Sequence, residues 1–296
     1  MNSHPPSVRG IFFALGATII WSGNFIVARI LNQSVEPATL ALARWTVAFL
    51  GLLPFALGAA WRRRGRIRQL LPAMLPMSIL GVTVFNTVLY LAARTSSALN
   101  LSLIATSTPV FIMLLSRVVL GERLDLRKIL GLCLALGGVL FLITGGDVSR
   151  LLGLSFSAGD LWMVLAAMTF AAYSVLVRRM EHDLPQSVFL LALFGTGIVF
   201  LIPWAGWELS AHGAPEITME MAGCVLYVGL GASLAAYGLW NKAVAAIGPS
   251  LSGLIYYSLP LFSGLAAWSF LGEPVGPTHL VSGCCILGGI VLATRH

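Results

Sequence analysis

The sequence predicts an all-α membrane protein with ten transmembrane helices arranged as two inverted five-helix repeats. Three observations carry that prediction. Apolar residues form 58% of the 296-residue chain and charged residues only 10%, where a soluble domain carries about 25% charge; the mean hydropathy is +0.90. Ten apolar runs each approach the roughly 20 residues that carry a helix across a bilayer. The second half of the chain also repeats the first at a nearly fixed offset.

The runs can be justified in order. The first, 10–31, is apolar throughout and holds Trp21 and Asn24 near its centre. The second, 37–60, opens on Pro37, which suits a first helical turn, and contains Arg44, the one charge well inside any run. The third, 70–93, follows the polar break Arg62-Arg63-Arg64-Gly65-Arg66. The fourth, 98–119, contains Pro109 and leads to Gly121-Glu122. The fifth, 128–144, is the shortest and carries Gly137-Gly138. The sixth is 158–177. The seventh, 185–207, starts on Pro185. The eighth, 219–239, follows an outside loop, 208–220, that holds Glu208, Glu216 and Glu220 and no Lys or Arg. The ninth, 249–270, and tenth, 277–294, start on Pro249 and Pro277.

Charge sets the orientation. With the N-terminus inside, 14 of the 18 Lys and Arg fall in inside segments and 3 (Arg29, Arg94 and Arg150) outside. The positive-inside rule then places both termini in the cytoplasm, in a cytoplasmic (inner) membrane. The net charge of +7 is thereby topogenic, and no nucleic-acid partner is expected. Cys133, Cys224, Cys284 and Cys285 lie within apolar runs and read as small packing residues. Neither they nor His4, His182, His212, His279 and His296 have metal-ligand spacing or a central place in a run. The expectation is no enzyme, no metal and no cofactor, with the lipid bilayer and a small molecule as partners.

The repeat is specific. At an offset of 151, Ser107 meets Ser258, Pro109 meets Pro260, Leu120-Gly121-Glu122 meets Leu271-Gly272-Glu273, and Gly137-Gly138 meets Gly288-Gly289; at 149, Arg29 meets Arg178 and Pro54 meets Pro203. The halves are 1–145 and 146–296. Five spans per half is an odd number, so the second half enters the membrane upside down. Inverted repeats characterise alternating-access carriers, with the substrate site near the midplane.

Ten spans as five plus five, Trp21-Ser22-Gly23-Asn24-Phe25, Arg44-Trp45, and Pro-x12-Glu closing the fourth and ninth runs resemble the EamA-type drug/metabolite transporter superfamily. Phe170 and Tyr173 stand where the second repeat would match Trp21 and Asn24, and Leu193 replaces Arg44. The resemblance implies export of small metabolites, amino acids and aromatic ones among them. Export of drugs or other metabolites, such as nucleosides or organic cations, is the alternative; an intramembrane enzyme is a distant third.

A carrier needs polar groups at mid-membrane, where they are otherwise costly. Trp21 and Asn24 share a helix face, as do Asn86 and Tyr90, and Tyr237 and Asn241. With Thr106, Tyr173, Trp240, Tyr256, Tyr257 and Ser258 they form the candidate substrate set. An amide binds a zwitterion without a charge of its own, and aromatic faces suit an apolar body or an ammonium. The competing readings are helix–helix hydrogen bonds and an interfacial aromatic belt. Arg44 leans toward its helix N-terminus and can reach outward to the headgroups; its alternative is a substrate carboxylate. Pro109 and Pro260 are expected as mid-span kinks and hinges. Glu122 and Glu273 should cap or anchor the following helices, and the pairs Cys133/Gly137 and Cys284/Gly288 should pack closely. No acid sits at a run centre, so transport without proton coupling is expected; the edge carboxylates Asp160 and Glu220 are the alternative.

Overall fold

The structure, a computed structural model, describes residues 7–31, 34–96, 98–147, 149–152, 157–180, 182–271 and 276–294. All elements among them are helical. The first half holds α1 (Val8–Leu31), α2 (Pro37–Arg62), α3 (Arg64–Thr95), α4 (Ala98–Ala105), α5 (Thr108–Val119) and α6 (Leu126–Thr144). After a single turn, Ser149–Leu152, come α7 (Ala158–Arg179), α8 (Gln186–His212), α9 (Met219–Ile247), α10 (Pro249–Tyr256), α11 (Leu259–Leu271) and α12 (Pro277–Thr294).

Eight helical segments among the described residues are long and apolar enough to cross a membrane, α4 and α5 counting as one from Asn100 to Val119. The 24-residue α1 and the consecutive α10 and α11 occupy the first and ninth predicted spans. Phe12, Phe55, Val118, Leu161 and Leu280 point out of the bundle, a face only lipid can cover at low cost. The chain is a multi-pass membrane protein.

Helix packing follows the repeat. α1 lies against α9 and α11, and its counterpart α7 lies against α3 and α5. α2 touches the middle of α9, and α8 touches the middle of α3. α2 and α8 pack on each other, as do α6 and α12. Each of these last two pairs joins an element to its own repeat counterpart, which is a pseudo-two-fold arrangement.

The same symmetry appears in the helix interruptions. α3 widens into a π-helical stretch at Ile79–Val84, and α9 does so at Tyr227–Ala235. The 151 offset carries 79–84 onto 230–235. π stretches cluster at functional sites. The fourth and ninth spans break outright at Thr106-Ser107 and Tyr257-Ser258, which are equivalent pairs. In each, the serine amide donates to the carbonyl three residues back, Ser107 to Ile104 and Ser258 to Ile255, both at 2.9 Å. The expected mid-helix proline kinks are therefore corrected. Pro109 lies in the first turn of α5 and Pro260 is the second residue of α11, so each opens a new half-helix, where a missing N–H costs nothing.

Other expectations change as well. The Arg62–Arg66 break shrinks to Arg63, and α3 starts at Arg64, because arginine is a good helix former and these residues are exposed. α8 runs on to His212, so Glu208 is not in a loop. It is buried and accepts from the Ala38 and Thr39 amides at 3.0 and 2.8 Å, capping α2 across the pseudo-axis. Glu122 accepts from Ser250 at the start of α10, while Asp125 caps the following helix, α6. Glu273 and the side chain of Arg29 lie outside the described residues. Close packing of α6 and α12 runs through Gly138 and Gly289 of the expected glycine pairs, together with Gly131, and not through Gly137. A Cβ on Gly131 would meet the Gly289 carbonyl, and one on Gly138 the Ser282 carbonyl, whereas Gly137 faces open space. Cys133 and Cys284 are exposed on the outer face, so they are not packing residues.

Candidate functional site

Arg44 organises the centre of the bundle. It lies in the third turn of α2 and is 1% exposed, so it does not snorkel to the headgroups. Its guanidinium is held from three other helices. Nε donates to Ser233 Oγ of α9 at 2.8 Å. Nη1 donates to Asn86 Oδ1 at 2.7 Å and to the Tyr90 hydroxyl at 2.6 Å, both on α3. Asn24 Oδ1 of α1 stands 3.4 Å from the same nitrogen. Asn24 could reach because α1 presents Trp21 and Asn24 on one face. No carboxylate appears among these partners; the groups described around the charge are neutral, with the Trp45 and Tyr90 ring centroids 5.5 and 5.9 Å from Cζ. An unpaired charge in a low-dielectric interior is expensive.

The hydrogen-bond polarity of this cluster is one-sided. A guanidinium only donates. It therefore turns the oxygens of Asn24 and Asn86 toward a positive charge, which opposes a second cation beside them. Asn86 Nδ2 is buried without a partner among the described residues. Arg44 Nη2 likewise has none among them. Both of these unpartnered nitrogens are donors.

Those donors border a small cavity lined by Trp21, Asn24, Arg44, Phe85, Asn86, Leu89, Phe170 and Tyr256. Its volume is about 20 Å³, room for about one water. The opposite wall is aromatic. Trp21 meets Phe170, Trp240 and Tyr256 with ring centroids 5.4, 5.3 and 6.0 Å apart. Behind them stand Tyr237 and Tyr173, 5.4 Å from each other.

The aromatic wall also reaches the π stretches. Trp21 Nε1 donates to the Ala232 carbonyl at 2.8 Å, and the Tyr237 hydroxyl donates to the Gly81 carbonyl at 2.7 Å. Gly81 and Ala232 are equivalent under the 151 offset, one in each stretch. A Cβ at Gly81 would also fall on the Tyr173 ring, so the position requires glycine.

The structure brings together Trp21, Asn24, Arg44, Asn86, Tyr90 and Tyr256, with Tyr173, Tyr237 and Trp240 one layer behind. It places four candidates elsewhere: Tyr257, Thr106, Ser258 and Asn241. The Tyr257 hydroxyl donates to the Thr106 carbonyl, joining the two helix breaks. Thr106 and Ser258 hydroxyls donate to carbonyls of their own helices. Asn241 binds the Tyr173 hydroxyl at 2.9 Å behind the wall, and Asp160 is taken up by Ser96 and Asn100 at the edge of the bundle. Sequence reasoning missed Phe85, Leu89 and Phe170 as lining residues, although Phe170 is the counterpart of Trp21 in the repeat. Phe85 could have been found as the neighbour of Asn86, and Leu89 lies three residues beyond Asn86 on the same face.

The comparisons with known proteins agree with this architecture. A terminal-alkyne amino-acid exporter, so named as probable, from Streptantibioticus cattleyicolor is 29% identical, the match covering 96% of this chain and 93% of that one. A probable amino-acid metabolite efflux pump of Salmonella typhimurium is 23% identical, with 95% and 93% covered. A solved structure described only as a protein superposes with a TM-score of 0.77 over 96% of both chains at 20% identity, a likeness of fold. The profile of the EamA-like transporter family matches twice, over residues 8–144 and again over 157–295; the chain belongs to the EamA-like transporter family.

Proposed function

We propose that this transporter exports amino acids, aromatic ones included, across a cytoplasmic membrane by alternating access and without proton coupling. The observation that carries the reading is Arg44: a buried cation with neutral partners, facing a cavity whose other wall is aromatic. A substrate carboxylate supplies the missing counter-charge, and an apolar or aromatic side chain fits the wall formed by Trp21, Phe170 and Tyr256. Organic cations fit poorly, because Arg44 repels them. Two exporters among the similar proteins carry amino acids in their names.

Each half, 1–145 and 146–296, acts as one moving unit in this reading, with both termini in the cytoplasm. A cavity of about 20 Å³ must widen to admit an amino acid. The interruptions nearest to it are the matched π stretches and helix breaks, and the halves pivot there. Trp21 and Tyr237 link the cavity wall to the π-stretch carbonyls, so a substrate that displaces either ring also loosens a hinge. The test is counterflow: proteoliposomes loaded with unlabelled L-tryptophan should take up labelled L-tryptophan faster than empty ones. Equal rates for tryptophan, phenylalanine and leucine in loaded and empty vesicles would end the amino-acid reading.

A further inference from the structure

We propose that the site reads the carboxylate and the apolar body of its substrate and does not read the ammonium, so that monocarboxylates lacking an amino group are substrates of the same carrier. The inference rests on the carboxylate reading of Arg44 given above and extends it to a wider substrate class.

An ammonium needs an anion or well-placed oxygens that are free to accept. Among the described residues no Asp or Glu lines the cavity. The amide oxygens of Asn24 and Asn86 are turned to Arg44. The hydroxyl oxygens of Tyr90 and Ser233 accept from the same guanidinium. The two π-stretch carbonyls nearest the aromatic wall, Gly81 and Ala232, are occupied by Tyr237 and Trp21. The four side-chain oxygens lie against the guanidinium, whose charge opposes an ammonium there, and the aromatic faces hold a cation weakly. Arg44 lines the cavity, and its Nη2, which donates to none of these oxygens, complements a carboxylate.

A site built to hydrogen-bond a substrate group rejects an analogue lacking that group, because its own polar atoms are left unpaired. Here removal of the ammonium unpairs nothing in the protein. It also removes a positive charge from the vicinity of Arg44. Removal of the carboxylate has the reverse effect and leaves Arg44 uncompensated.

The experiment uses the full chain in proteoliposomes near neutral pH, with L-tryptophan, indole-3-propionate and tryptamine as probes of one ring system. Labelled L-tryptophan counterflow is competed by each compound, and labelled indole-3-propionate exchange is measured against protein-free vesicles to subtract passive leak. The expected result is that indole-3-propionate competes within about tenfold of tryptophan and shows protein-dependent exchange, while tryptamine is weaker by about a hundredfold or more. Tryptophan counterflow that indole-3-propionate fails to inhibit even at about a hundredfold excess overturns this inference and leaves the amino-acid reading intact. Indole-3-propionate exchange without tryptophan counterflow supports the inference and removes the amino-acid reading. Neither activity, or tryptamine competing as well as tryptophan, overturns both.

Discussion

Trp21 and Phe170, which occupy equivalent positions in the two repeats, meet edge to face across the pseudo-axis with ring centroids 5.4 Å apart and planes at 85°. Equivalent positions of the two repeats thus deliver different aromatic side chains to the same cavity. The polar wall is more lopsided. Arg44 has Leu193 as its counterpart, and Asn24 has Tyr173. The scaffold is symmetric and its chemistry is not. That division suits a carrier whose two halves exchange conformations around a substrate gripped mainly by one of them.

Arg44 is the first residue to test. Arg44→Gln removes the charge and shortens the side chain while leaving a polar amide in its place. Competition by carboxylate substrates should weaken about tenfold to a hundredfold, the cost of roughly 1.5–3 kcal/mol for a charge-assisted hydrogen bond. Arg44→Lys should recover part of this, because it restores the charge without the planar fork. Binding curves on purified, monodisperse protein decide the matter; unchanged affinity in Arg44→Gln would make the cluster purely structural.

Adjacent tyrosines should behave differently. Tyr256 lines the cavity, whereas Tyr257 bonds the Thr106 carbonyl at 2.9 Å. Tyr256→Ala should shift selectivity among substrates, affecting large side chains more than small ones. Tyr257→Phe should leave selectivity alone and cost about 1 kcal/mol of stability. Thermal melting and competition measured on both variants separate the two effects.

Much of the fold is legible in the sequence, because apolar runs near 20 residues and the 151 offset are strong signals. The π stretches are not. Ile79–Val84 and Tyr227–Ala235 are ordinary helix-compatible sequence, and their geometry comes from close approaches such as Gly81 to the Tyr173 ring. Trp21, Asn24 and Asn86 are legible as polar or amphipathic residues at span centres. The burial of Arg44 is not, since its partners arrive from α1, α3 and α9. Tyr256 and Tyr257 cannot be told apart in sequence either, because the helix breaks between them and the helical period ends there.

Glycine packing gives a third prediction. Gly137→Ala should be tolerated, since nothing lies within 4 Å of its added Cβ. Gly138→Ala would press on the Ser282 carbonyl at 3.0 Å and should destabilise by about 1–3 kcal/mol. Melting temperatures of the two variants, one residue apart, test whether α6 and α12 pack as described.

Topology gives a fourth. Single cysteines at Gly65 and Ala214, in a background lacking the four native cysteines, should label from opposite sides of the membrane. Position 65 lies beside Arg66, whose pairing with Asp183 at 2.8 Å joins the α2–α3 and α7–α8 connections on one face. That arginine holds the Asp183 carboxyl below its ordinary range. The pairing is therefore complete at neutral pH and is lost only as pH falls through the lowered value. Labelling of both cysteines from the same side would refute the inverted arrangement.

The last prediction concerns energy coupling. A proton-coupled carrier needs a titratable group that substrate and protons share. The acids whose partners are described are committed elsewhere: Glu36 to Arg94, Glu122 to Ser250, Asp160 to Ser96 and Asn100, Glu208 to the α2 amides. None borders the cavity, where Arg44 is the charged group. Transport down a substrate gradient should then be insensitive to a protonophore, and an imposed pH gradient should drive no accumulation. Accumulation that collapses with the pH gradient would overturn the reading. Asp160, buried at the edge of the bundle, would be the first residue to examine, since Asp160→Asn would abolish accumulation while leaving counterflow in place if that carboxylate carried the proton.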